Sequence, residues 1–115
     1  MKNPLKKISL YGYTAYSGIV PAYDTMGFWG IMEHFLFYRK TNAAGIVLLM
    51  EEKELNGLFA GYDWNLLFRL IGCDIFHCPL PQDIPHNTVR GIFKMMAELD
   101  EKLQQGPLIF LSSED

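Results

Sequence analysis

Two rhythms alternate along this chain. Short runs rich in β-branched and aromatic residues give way to longer stretches in which apolar residues return every three or four positions. The first is the rhythm of strands and the second that of amphipathic helices. The run from Ile8 to Val20 predicts a strand near 7–13 and a short extended piece near 19–20, with bends at Gly12 and Gly18. Pro21 ends it. Asp24 or Thr25 then offers a short side-chain oxygen that can cap a helix. From Met26 to Lys40, Phe28, Met32, Phe35 and Leu36 trace a helical stripe, widened by Ile31 and Phe37. A stripe this wide and this aromatic predicts a helix covered on more than one side.

Gly45 to Met50 is apolar without alternation, so both faces should be covered, as in a central parallel strand. Glu51 to Glu54 reads as a charged loop or a first helical turn. Tyr62 to Ile71 is a second amphipathic stretch, with Asp63 as cap and Gly72 as stop. Cys73 to Cys78 is the next strand. The following Pro79-Leu-Pro-Gln-Asp-Ile-Pro85 reads as a surface loop, because its prolines remove donors and fix φ. The longest helix starts at His86 or Asn87, with Val89, Ile92, Phe93, Met96, Leu99 and Leu103 on one face, and Gly106 caps it. Leu108 to Leu111 is the last strand. Strands alternating with helices predict one α/β domain over residues 1–115, a mainly parallel central sheet flanked by helices.

Composition narrows the classes of function. Half of the residues are hydrophobic, which excludes a disordered chain. A net charge of -3 with scattered basic residues lacks the footprint of a nucleic-acid binder. No apolar run reaches the ~20 residues that cross a bilayer. The polar residues around Lys2, Lys6 and Lys7 do not make a signal peptide. The expectation is a soluble cytoplasmic protein with no membrane partner. The two cysteines, Cys73 and Cys78, are too few for a disulfide framework.

Candidate chemistry is sparse. Cys78, after His77 at a strand end, is a candidate nucleophile; the Pro-rich stretch behind it lacks the free amides and Arg that would stabilise a thiolate or oxyanion. The structural alternative packs Cys78 under the loop, with His77 bonded locally. Asp83 is a candidate general acid on a rigid loop, or simply a turn former. Ser113, beside Ser112, is a candidate catalytic hydroxyl, although no nucleophile elbow surrounds the pair. His34, His77, His86, Cys73 and Cys78 show no metal-ligand spacing, and no Gly-rich phosphate loop is present. No metal or cofactor is expected. A crevice at the strand carboxyl ends, near Met50, Cys78 and Leu111, is where a small molecule would bind.

Four features stand in a suggestive order: Trp29 in a helix; Gly45-Ile-Val-Leu-Leu-Met50 followed by Glu51-Glu52; the loop Pro79 to Pro85; and a helix over Val89 to Gln105 leading through Gly106-Pro107 into Leu108-Ile-Phe-Leu111. From Gly27 to Leu111 this resembles the bacterial dual-specificity (protein-tyrosine) phosphatases. The resemblance implies a phosphatase-like fold truncated before the helix that follows the phosphate loop. It puts Asp83, or Gln82 by a one-residue shift, at the general-acid position. It puts the His and nucleophilic Cys of the His-Cys-x5-Arg loop on Ser112 and Ser113. Glu114 and Asp115 bring negative charge where that family holds phosphate. The reading that follows is a non-catalytic interaction domain. It binds a partner protein or forms a homo-oligomer through helix 26–40 or the sheet face near Leu108–Leu111. The alternatives are a split or truncated phosphoesterase acting on phosphate monoesters, and a small-molecule binding module.

Overall fold

The computed structural model describes residues 3–10, 12–79 and 99–112. The chain opens with a hairpin. Strand β1 (Lys6–Leu10) and strand β2 (Tyr13–Ile19) pair antiparallel, in register from Lys6 with Ser17 to Leu10 with Tyr13. The strand expected near 7–13 thus ends at Leu10, and a second strand that was not expected fills 13–19. Gly12 sits between them at φ 82°, a left-handed turn conformation that glycine adopts without steric cost. The piece expected at 19–20 is the end of β2, bonded through the Val20 amide to the Ser112 carbonyl at 2.9 Å.

Helix α1 (Tyr23–Lys40) follows. Its cap is Ala22 in extended conformation, not Asp24 or Thr25; Asp24 lies in the first turn and the Thr25 hydroxyl donates back to the Ala22 carbonyl. The helix is broken at Gly27, where φ is 66° and ψ is -177°. That region is essentially closed to residues with a Cβ, so Gly27 lets one turn end and the long helix restart at Phe28. The restarted helix closes at Thr41, whose hydroxyl donates to the Tyr38 carbonyl, with Asn42 at φ 53° beyond it.

Strand β3 (Gly45–Leu48) is buried at every residue, as its unbroken apolar run requires. The charged stretch after it is a first turn that continues into α2 (Glu52–Leu58), anchored by Leu55 and by Phe59 just beyond its end. Helix α3 (Trp64–Arg69) starts as expected, with an Asp63 carboxylate oxygen accepting from the Leu66 amide at 3.2 Å. Strand β4 (Asp74–His77) comes next, then a helical segment over 99–105, then strand β5 (Leu108–Ser112). The expected loop 79–85, beyond Pro79, and the expected helix start at His86 or Asn87 lie outside the described residues.

The five strands form one mixed sheet in the order β1-β2-β5-β3-β4. Apart from the hairpin, every pairing is parallel. The last strand in sequence is thus inserted at the middle of the sheet. Alternation along β3 and β5 divides the core in two. Ile46, Leu48, Ile109 and Leu111 face α1, α2 and α3, meeting Phe35, Tyr38, Leu55, Phe59 and Phe68. Val47, Leu108 and Cys78 face the other way and meet Leu103 of the helical segment. An ion pair from Lys102 to Asp74 ties that segment to β4. Because Leu108, Ile109 and Leu111 are fully buried, they do not form the contact surface proposed for them from the sequence. Among the described residues, no helix is long and apolar enough to cross a membrane.

Tyr38 is fully buried, and its hydroxyl has no hydrogen-bond partner among the described residues. Burial pushes its phenol well above the ordinary range. Above about pH 10 an unfolded chain ionises this tyrosine while the folded chain does not. Its contribution to stability is therefore intact below that pH and lost as pH rises, by up to about 1.4 kcal/mol per unit. Tyr38→Phe should remove this slope and, by deleting an unbonded hydroxyl, cost nothing at neutral pH or stabilise by about 1 kcal/mol. Urea midpoints of both proteins, followed from neutral to strongly alkaline pH, test this. Parallel curves for the two proteins would rule it out, since the other five tyrosines are common to both.

Candidate functional site

The carboxyl ends of four parallel strands gather along one edge of the sheet, the usual place for a binding crevice in such folds. The position expected from the sequence is closed: Met50, Cys78 and Leu111 are all buried. The open cleft lies to one side, over the ends of β2 and β5. It has a volume of about 600 Å³, and its walls include Val20, Ala22, Met26, Leu58 and Ser112.

One imidazole reaches this cleft. His34 is only 6% exposed and is the one buried polar or charged residue among those described. It sits on the inward stripe of α1 with Ile31, Phe35 and Tyr38. Its Nδ1 lies 2.9 Å from the Gly30 carbonyl one turn back. A carbonyl can only accept, so Nδ1 carries the proton, and in the neutral ring Nε2 presents a lone pair. Nε2 has no partner among the described residues, yet Tyr38 Oη is the one fully enclosed side-chain polar atom there without a partner. His34 is among the residues that line the cleft. In the sequence this histidine appeared only as a possible metal ligand. Its place within an otherwise apolar helical stripe was the available signal.

Of the three candidate catalytic residues, only Cys78 lies among the described residues. Cys78 is buried with Val47, Leu103 and Leu108, and its amide donates to the Leu48 carbonyl at 2.8 Å. Asp83 and Ser113 lie outside the described residues. Ser112, at the exposed end of β5, does line the cleft. Cys73 and Cys78 are free thiols at either end of β4, packed into opposite core layers. Burial, and then the neighbouring Asp74 carboxylate, push the Cys73 thiol up; it stays protonated at neutral pH and is a poor nucleophile. Among the described residues, no three His, Cys, Asp or Glu side chains converge to hold a metal.

A second groove of about 410 Å³ lies at the ends of β3 and β4, around Glu52, Asn56, Asp63, Trp64 and His77. Several of its polar groups are already engaged. His77 Nε2 donates to the Met50 carbonyl at 2.6 Å, and its ring meets the edge of Trp64 at 5.2 Å. Trp64 Nε1 donates to Asn56 Oδ1 at 3.1 Å. The His77 bond is not local: it clamps the end of β4 to the segment after β3. That gives His77 a structural task.

Fold and cleft together define an α/β protein with a mostly parallel five-stranded sheet and an open, largely apolar cleft at its carboxyl edge. Comparison of the chain with protein-family models, with curated proteins and with solved structures gives no match.

Proposed function

We propose that this chain is a non-catalytic, phosphatase-like interaction domain that pairs with a second copy of itself through the outward face of α1. The observation that carries this reading is the exposure of large apolar side chains on that helix. Trp29 is 79% exposed and Leu36, two turns on, 58% exposed, with Phe28 packed edge-on against Trp29. The inward face of the same helix is already covered by the sheet core. Exposed apolar patches of this kind mark interaction surfaces. The face also carries Glu33 and Lys40, opposite charges that can meet when it is inverted on itself by a two-fold axis. The phosphatase-like part rests on the order of sequence features from Gly27 to Leu111. The non-catalytic part rests on Ser112 and Ser113 at the positions of that family's His and nucleophilic Cys.

Light scattering at micromolar concentration should give twice the 13.2 kDa mass of one chain. Trp29→Lys should weaken the pair about thirtyfold or more, the loss of about 2 kcal/mol typical of a central interface tryptophan. Its circular dichroism and urea midpoint, measured well below the dissociation constant, should not change. A wild-type chain that stays monomeric under these conditions would sink the self-association reading. A dimer indifferent to Trp29→Lys and Leu36→Lys would move the interface off α1.

A further inference from the structure

We propose that the cleft over β2 and β5 binds a compact apolar molecule of the phenol class, whose hydroxyl donates a hydrogen bond to His34 Nε2. This goes beyond the self-association reading and does not depend on it, since Trp29 and Leu36 do not line the cleft.

Three observations lead there. First, His34 is 6% exposed, its Nδ1 proton is committed to the Gly30 carbonyl, and its Nε2 has no partner among the described residues. An acceptor without a protein partner at a cleft wall is left to water, and a ligand hydroxyl can take the place of that water. Second, much of the remaining wall is apolar: Pro4, Val20, Ala22, Met26 and Leu58. A few polar groups in an apolar recess of about 600 Å³ is the make-up of a small-molecule site. The Met26 thioether adds a favourable partner for an aromatic ring. Third, no carboxylate is among the described residues of the wall, and Lys6 is its one cationic side chain. A cationic ligand therefore finds no counter-charge. An anion lacking a proton to donate would set its oxygen lone pairs against that of Nε2. A neutral donor on an apolar body satisfies both the ring nitrogen and the walls.

The test titrates the full chain, with 15N-labelled histidine, with phenol, cyclohexanol and anisole at mildly alkaline pH. Phenol should move the His34 Nε2 resonance saturably in the direction of an accepted hydrogen bond. Anisole has the same ring and no donor, and should bind about tenfold more weakly. Cyclohexanol separates the two parts: binding as tight as phenol's would show that any hydroxyl on an apolar ring is accepted and would overturn the aromatic part of the assignment. His34→Phe should lose the preference for phenol over anisole, and His34→Gln, which keeps an acceptor, should recover part of it. The proposal fails if phenol gives no saturable shift, if anisole binds as well as phenol to the wild-type chain, or if His34→Phe keeps the preference. The phenol–anisole comparison on the wild-type chain stands even if a variant does not fold.

Discussion

Phe68→Ala should destabilise this protein by about 3–5 kcal/mol, the usual cost of deleting a buried phenylalanine ring. Phe68 is fully buried on α3. Its ring lies 5.0 Å from that of Phe35 on α1 and 5.5 Å from that of Phe59 at the end of α2. It is the contact at which all three helices on this face of the sheet meet. Helices α2 and α3 have seven and six residues, too short to hold their shape without tertiary packing. Their order therefore depends on this cluster more than on their own hydrogen bonds. Against a total of about 5–15 kcal/mol for a domain, the substitution should leave much of the chain unfolded at modest urea. Phe68→Leu keeps most of the volume and should cost about 1 kcal/mol. Urea unfolding followed by circular dichroism measures both; a midpoint for Phe68→Ala within error of wild type would show that the cluster does not hold the helices.

A single added methyl group should also be damaging at Gly45, though less so. In a strand, glycine to alanine normally helps slightly, because the unfolded chain loses freedom and the strand gains a side chain. Here the sign reverses. A Cβ on Gly45 would lie 2.7 Å from Phe76 Cε2, 3.2 Å from the Asp74 carbonyl oxygen and 3.2 Å from Leu108 Cδ2. It would be squeezed between β4 on one side and β5 on the other. Leu108 is fully buried and has nowhere to move. Phe76, half-buried on the edge strand, would have to yield. Overpacking of this kind costs about 1–3 kcal/mol. If the ring is what gives way, Phe76→Leu should recover part of the loss, with a favourable coupling of about 1 kcal/mol in a double-mutant cycle. Additive effects would place the strain on the backbone carbonyl or on Leu108 instead.

Gly45 also shows what could and could not be read without a structure. Its run of apolar neighbours declared a central parallel strand, and β3 is one. Nothing local said that β5 would lie against it, because that pairing joins segments far apart in the chain. The same division holds elsewhere. The α3 cap at Asp63, the end of α1 at Thr41 and Asn42, and the edges of β4 are set by side chains within a few residues of each other, so they were legible. The hairpin was not, since Ile8 to Val20 is continuously strand-forming and only the positive φ at Gly12 divides it. Helix α2 was hidden because two buried anchors, Leu55 and Phe59, are too few to show a period.

The candidate site was the least legible part, for the same reason. Cys78, Asp83 and Ser113 stood out as chemically capable residues beside strand ends. Reactivity depends on what surrounds a side chain, and Cys78 is packed into the core. In the sequence, His34 was only a histidine without metal-ligand spacing. It lines a cleft because β2, β5 and the end of α2 leave a gap beside it. By itself the sequence determined the α/β class, the covered central strand, the cap of α3 and the end of α1, because periodicity and capping act over a few residues. The insertion of β5 between β2 and β3, the closure of the crevice near Met50 and the opening of a cleft at His34 were decided by tertiary structure alone, because each depends on contacts between segments that the chain brings together only on folding.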